Sequence, residues 1–202
     1  LAEETGVRLH LSQLSCGRSV EMLAEARKRG IQVTADVAMH QLVYTEDALA
    51  GFDSRFHVRP PLRSETDRQA LLAGVREGVI DAIVSQHQPH DSAAKQAPLP
   101  ATEPGLSGIE SVLSLGLGLV ASGELEMPDL LSALTLGPSR VLGREWALAE
   151  GVAADLCIFD PKGHWVPSPS TLVSAGHHAP RFGCELPGLM KLTLVGGRTA
   201  WQ

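Results

Sequence analysis

Two histidines occupy positions at which a metal-dependent enzyme could use them. His10 is predicted at the carboxyl end of a short strand over residues 8–11, and His40 lies directly after a second predicted strand over residues 31–38. The carboxyl ends of parallel strands form the rim on which barrel enzymes place their catalytic groups. Imidazoles on adjacent strands can share a divalent cation, although a stable zinc site needs three or four ligands. Either histidine could instead be a rim side chain that hydrogen bonds to a neighbour.

Gln86 stands where a metal-dependent hydrolase would be expected to hold a carboxylate. It follows the most apolar predicted strand, over residues 79–85, and opens the polar segment that runs to Asp91. A carboxylate there could bind the metal and also take a proton from the bound water. The amide of glutamine has no proton-accepting form near neutral pH and brings no negative charge to a cation. A general base is therefore expected to be missing.

Two other segments could bind an anion. The sequence Arg59-Pro60-Pro61-Leu62-Arg63 forms a rigid cationic corner, although exposed arginines more often belong to solvated turns. Pro104-Gly105 leads into a predicted helix whose first N–H groups could receive an anion. Simple capping of that helix by Ser107 explains the same residues.

Strands and helices alternate along the first 145 residues. Strands are predicted over residues 8–11, 31–38, 56–58 and 79–85, and helices over residues 20–29, 65–77, 108–121, 128–134 and 138–142. About four strand-then-helix units in series favour parallel strands with right-handed crossovers. A complete eight-unit barrel takes about 250 residues, so this α/β chain is expected to form about half of one. Its open sheet edges should require the missing N-terminal half of the barrel, an oligomer or another partner.

The last part of the chain has a different pattern. Short apolar strands are predicted over residues 155–159 and 192–195, among turns that contain proline and glycine. This pattern is typical of a small β module. We therefore predict a barrel segment over residues 1–146 and a β segment over residues 147–202.

Composition excludes several classes of function. The 202 residues carry 17 Lys and Arg against 23 Asp and Glu, and this acidic balance gives no reason to expect nucleic acid or an anionic membrane as partner. The longest apolar stretch, over residues 112–121, is shorter than the roughly 18 residues that a membrane span needs. Three widely spaced cysteines favour a reducing cytoplasm over a disulfide framework. The chain opens with Leu1 and shows no signal peptide, so we expect it to begin within a longer protein.

These residues, in this order, resemble the type I dihydroorotases of the cyclic amidohydrolase superfamily, over about residues 1–202. His10-Leu11-Ser12 is similar to the His-Val-Ser at the end of the family's fifth barrel strand, and residues 33–41 are similar to the sixth-strand Val-Thr-Ala-Glu-Val-Thr-Pro-His-His. Residues 59–63 resemble Asn-Pro-Pro-Leu-Arg, and residues 81–90 resemble Asp-Ala-Ile-Ala-Thr-Asp-His-Ala-Pro-His. The resemblance implies strands 5 to 8 of a TIM-like (β/α)8 barrel, followed by part of a small β-sandwich.

The resemblance also implies roles for individual residues. His10 and His40 match histidines that bind zinc in the family, whereas Gln86 replaces its metal-binding, proton-accepting aspartate. The substrate pocket would be lined by His90, the Pro104-Gly105 backbone and Arg59, which replaces a substrate-contacting asparagine. The family's other metal ligands would lie before Leu1. Zinc is therefore expected to be absent or weakly bound.

Three functions remain open at this point. Dihydroorotase-like chains that have lost catalytic residues are known as partners of aspartate carbamoyltransferase, so the first hypothesis is a non-catalytic subunit that supports assembly of that enzyme's catalytic chains in de novo pyrimidine biosynthesis. The alternative is an active zinc-dependent cyclic amidohydrolase that converts dihydroorotate to N-carbamoyl-aspartate, with His87 or Asp91 as a substitute base. The third is a zinc-free module that binds a dihydropyrimidine without hydrolysing it.

Overall fold

The computed structural model describes residues 1–144 and 148–202, which form two sheets and seven helices. The first sheet is parallel, with the order β1-β2-β3, and the second is antiparallel, with the order β4-β5-β6. The strands are β1 (Leu9–Leu14), β2 (Val33–Ala38), β3 (Ala82–Val84), β4 (Leu156–Trp165), β5 (Leu186–Val195) and β6 (Arg198–Trp201). The helices are α1 (Ala2–Thr5), α2 (Gly17–Lys28), α3 (Met39–Val43), α4 (Glu65–Arg76), α5 (Val112–Ala121), α6 (Met127–Leu134) and α7 (Leu136–Val141).

The parallel sheet packs one of its faces against helices. Val33 pairs with Leu9 in register, and Val37 pairs with Ile83, so β2 lies in the centre of the sheet. The apolar side chains of β2 join a buried core with Leu23 of α2 and Leu72 of α4. The apolar residues Val33, Ala35 and Val37 alternate along β2 with Thr34 and Asp36, so one face of the strand joins this core.

Local signals in the sequence mark the start of α4 and the end of α2. Helix α4 begins after Ser64, whose hydroxyl accepts a hydrogen bond from the backbone N–H of Asp67 at 3.2 Å, as the predicted N-cap should. Gly30 adopts a φ of 81° directly after α2, a conformation that favours glycine at the end of a helix. In the described part of the chain, no helix is both long enough and apolar enough to cross a membrane.

The strand predicted over residues 56–58 is wrong. Ser54–Phe56 form a single 3₁₀ turn, because the carboxylate of Asp53 accepts hydrogen bonds from the backbone N–H and the guanidinium of Arg55. The parallel sheet consequently has three strands in the described residues, where four strand-then-helix units were predicted.

The antiparallel sheet is larger than the sequence indicated. Strand β5 starts at Leu186, six residues before the predicted strand, and runs through Pro187 and Gly188, which in sequence look like strand breakers. Trp165 of β4 donates from Nε1 to the hydroxyl of Ser114 in α5 at 2.9 Å, which joins this sheet to the helical layer. The predicted boundary between residues 146 and 147 lies outside the described residues.

Two helical glycines provide a test of this packing. Gly118 in α5 is exposed with open space around its Cα, so Gly118→Ala should raise the free energy of unfolding by about 0.5–1 kcal/mol through better helix propensity. A methyl group on Gly137 in α7 would instead collide with the backbone carbonyl of Asp81 next to β3. Gly137→Ala should therefore lower the free energy of unfolding by about 1–3 kcal/mol. Urea denaturation measures both changes, and equal effects of the two substitutions would contradict this packing.

Candidate functional site

His10 does not lie at the carboxyl end of its strand, so that prediction is wrong. Strand β1 continues to Leu14, which leaves His10 as its second residue, paired with Thr34 near the amino end of β2. The polar side chain nearest the carboxyl end is that of Gln13, the second-last residue of β1, which the sequence patterns did not indicate. Gln13-Leu14-Ser15 and His10-Leu11-Ser12 both consist of a polar residue followed by leucine and serine. The position at which β1 ends is what tells the two triplets apart.

A buried carboxylate fixes the irregular end of β1. Asp36 in β2 accepts hydrogen bonds from the backbone N–H of Gln13 at 2.7 Å, from the hydroxyl of Ser12 at 2.8 Å and from Nε2 of His10 at 2.9 Å. The pairing of β1 with β2 shifts register between Leu11 and Leu14, at the point where Asp36 binds the strand. This bulge turns Gln13 toward the rim of the sheet.

Gln86 is bound at the same rim by two other segments. Its side-chain N–H₂ group donates to Oε1 of Gln13 at 2.9 Å and to the backbone carbonyl of Arg59. Its own Oε1 is buried and receives no hydrogen bond from any residue that the structure describes. Gln86 thus joins the ends of β1 and β3 to the Arg59-Pro60-Pro61 corner.

The other predicted pocket residues lie in one loop cluster. His90 donates from Nε2 to the carbonyl of Pro104 at 3.0 Å, and the N–H of Gly105 donates to the carbonyl of His57 at 2.8 Å. The buried ammonium of Lys95 donates to the carbonyl of Gly105 at 2.5 Å and also to those of Glu103 and Ser54. Because Arg59 follows His57 closely, the structure brings Arg59, Gln86, His90, Pro104 and Gly105 into one neighbourhood.

His40 is a buried imidazole beneath this loop cluster. It is the second residue of α3, it is 2% exposed, and neither ring nitrogen has a hydrogen-bond partner among the described residues. Burial lowers the pKa of His40 to about 4, because the charged ring would lose its hydration. Tyr44 lines the same narrow cavity with a hydroxyl that is also buried without a described partner, and burial raises the pKa of Tyr44 to about 12.

The described residues do not fit the zinc ion that the resemblance implies. His40 could serve as one ligand, since both its nitrogens are free of hydrogen bonds. His10 could not, because Asp36 and the hydroxyl of Thr34, 2.8 Å from its Nδ1, occupy both its nitrogens. Within residues 1–144 and 148–202, no three His, Cys, Asp or Glu side chains converge as metal ligands would.

The two candidate substitute bases are engaged in backbone contacts. Nδ1 of His87 accepts hydrogen bonds from the N–H groups of Gly108 at 3.2 Å and Ile109 at 3.3 Å, at the turn that leads into α5. Oδ1 of Asp91 accepts from the N–H of Ala94 at 2.9 Å. Both side chains therefore organise loops, which explains their presence without a role in proton transfer.

His40 should make folding sensitive to acid. The unfolded imidazole takes up a proton near pH 6.5, whereas the folded one stays neutral to about pH 4. The contribution of the neutral His40 to the free energy of unfolding is therefore complete above pH 6.5, and it should fall by up to about 3 kcal/mol as the pH drops to 4. Urea denaturation across this range should show His40→Leu removing this loss, while His164→Leu, at an exposed histidine of β4, should keep it. An unchanged pH dependence in His40→Leu would contradict the buried neutral ring.

Sequence comparison relates the chain to dihydroorotase-like proteins. It is 49% identical to a dihydroorotase-like protein of Pseudomonas aeruginosa, over 98% of this chain and 47% of that protein. It is 37% identical to a dihydroorotase of Syntrophus aciditrophicus, over 100% of this chain and 48% of that protein. The chain thus spans about half the length of the curated relatives it matches. No family model matches it.

Structural comparison gives the same relationship. The L-hydantoinase (dihydropyrimidinase) from Arthrobacter aurescens superposes with a TM-score of 0.89 and 26% identity, over 98% of this chain and 45% of that one. An inactive dihydroorotase-like domain of the Chaetomium thermophilum CAD-like multifunctional protein superposes with a TM-score of 0.73 at 18% identity, over 98% of this chain and 52% of that one. The α/β fold therefore matches the C-terminal portion of such barrels. Together, these similarities support a place for the chain in the amidohydrolase superfamily.

Proposed function

We propose that this chain is a non-catalytic, dihydroorotase-like subunit that supports the assembly of aspartate carbamoyltransferase in pyrimidine biosynthesis. The observation that carries the proposal is the amide of Gln86, whose N–H₂ group is bound to Gln13 and Arg59 at the rim of the parallel sheet. A hydrolase of this fold would need a proton acceptor at that rim.

The chemistry of the rim supports the absence of catalysis. Neither Gln13 nor Gln86 can accept a proton near neutral pH, and neither supplies charge to a cation. His87 and Asp91, which could replace the base, are held by backbone N–H groups. Of the described side chains proposed as ligands or bases, only His40 supports the alternative of an active zinc amidohydrolase, because both its ring nitrogens are free to bind a metal.

The relatives add support of a different kind. Proteins at 49% and 45% identity, from Pseudomonas aeruginosa and Pseudomonas putida, carry the name dihydroorotase-like protein, whereas the dihydroorotase of Syntrophus aciditrophicus is 37% identical. The Chaetomium domain of similar fold is described as inactive and is part of a multifunctional protein. A fold of this kind can therefore serve in a larger protein without catalysis.

The open edge of the parallel sheet supports a role in assembly. Among the described strands, β1 pairs with β2 alone, and Leu9 and Leu11 on it are 40% and 38% exposed. An apolar edge strand readily pairs with further polypeptide. We propose that strands completing the barrel cover this edge, and that the assembled unit then contacts the carbamoyltransferase catalytic chain.

Activity and assembly can be tested on one preparation. The chain together with the strands that complete its barrel, incubated with excess Zn²⁺, is expected to hydrolyse no dihydroorotate above the buffer blank, because its rim lacks a proton acceptor at Gln86. It is expected to co-elute with the aspartate carbamoyltransferase catalytic chain of the same organism on size exclusion. An active dihydroorotase serves as the positive control. Turnover in proportion to bound zinc would contradict the non-catalytic role, and separate elution would contradict the role in assembly.

The open edge makes a prediction about the chain by itself. Light scattering after size exclusion should give a mass above that of the 21.4 kDa monomer, because exposed β1 edges associate. The double variant Leu9→Lys, Leu11→Lys should shift the mass toward the monomer. The control Val195→Lys changes a valine that is 60% exposed in β5 of the antiparallel sheet and should leave the mass unchanged. A wild-type monomer at all concentrations would contradict the proposed edge contact.

A further inference from the structure

The two glutamines at the rim have an unusual backbone. Gln13 has a φ of 61° and Gln86 a φ of 46°, in the left-handed region where a residue with a Cβ is disfavoured. Phe52 is the one other non-glycine residue of the described chain with a positive φ. Such conformations persist where the surrounding structure holds them, and they cluster at functional sites. Here the two strained residues lie at opposite ends of one hydrogen bond.

The contacts of Gln86 require a neutral hydrogen-bond donor. Its N–H₂ group faces two oxygens, Oε1 of Gln13 and the carbonyl of Arg59, and uses one proton for each. A carboxylate at this position would place an oxygen without a proton against these two oxygens, so neither hydrogen bond could form. A divalent cation in the place of the N–H₂ group would meet two neutral oxygens and no anionic ligand from this pair.

The partner glutamine is fixed independently of any cation. The N–H of Gln13 donates to Asp36, and the same carboxylate binds Ser12 and His10, so its charge is already shared among three donors. These three hydrogen bonds fix the end of β1 without the amide of Gln86. The hydrogen bond between the two amides then ties β1 to β3.

We propose that the Gln13–Gln86 amide pair is a neutral cross-link that holds the ends of β1 and β3 and the Arg59 corner together without a metal ion. In this position the pair does structurally what a shared cation would do by coordination. The inference goes beyond the proposed function, because it concerns what stabilises the rim rather than what the chain assembles with or hydrolyses.

The direct test is the substitution Gln86→Glu, measured by thermal unfolding in EDTA at pH 7.5. It replaces the donor by a carboxylate that faces two oxygens, so the midpoint should fall by roughly 5 °C or more. The matched control Gln96→Glu makes the same change on an exposed side chain and should leave the midpoint within about 1 °C. A Gln86→Glu midpoint equal to that of wild type would overturn the proposal.

Two further measurements keep the test decisive if Gln86→Glu does not fold. The wild-type midpoint should be the same in EDTA as with excess Zn²⁺, and a saturable stabilisation by stoichiometric Zn²⁺ would overturn the proposal. The double variant Gln13→Ala, Gln86→Ala should lower the unfolding midpoint by less than the sum of the two single variants, since either substitution breaks the same hydrogen bond. Full additivity would also overturn it. These readouts are independent of turnover and of carbamoyltransferase binding, so failure here is distinguishable from failure of the proposed function.

Discussion

The carboxylate of Asp36 accepts three hydrogen bonds from the end of β1, and the arrangement of the candidate site depends on that contact. It binds His10 near the start of the strand and bends the strand so that Gln13 reaches the rim. A buried carboxylate is costly unless its oxygens are satisfied, so Asp36 specifies this geometry strongly. Because Gln13 is held at the rim, the group that Gln86 contacts there is another side-chain amide.

A neutral rim accounts for several otherwise separate features. The hydrogen bonds of Gln86 explain how three loop segments stay together, and the contacts of His87 and Asp91 explain why polar residues persist there. In the loop cluster, the buried ammonium of Lys95 donates hydrogen bonds to three backbone carbonyls. Stability at this rim therefore comes from hydrogen bonds, and the exposed edge of β1 is left as the surface that needs a partner.

Much of the fold could be predicted from local patterns, whereas the site could not. Ser64 and Gly30 mark helix ends through capping and a left-handed turn, both of which depend on neighbouring residues alone. The sequence predicts the first strand over residues 8–11, whereas β1 continues through Ser12 and Gln13, which donate hydrogen bonds to Asp36, 23 or 24 residues away. The chemistry of Gln86 was predictable from its side chain, but its pairing with Gln13, 73 residues distant, required the structure.

The most direct test of a metal-free rim is native mass spectrometry, with elemental analysis of the same sample, on the chain purified from zinc-supplemented cells. The account predicts the mass of the bare polypeptide, alone or in its complexes, with no stoichiometric zinc. One or two zinc ions per chain that are lost in His40→Leu would contradict it, because the rim would then hold a metal that its amides were inferred to exclude.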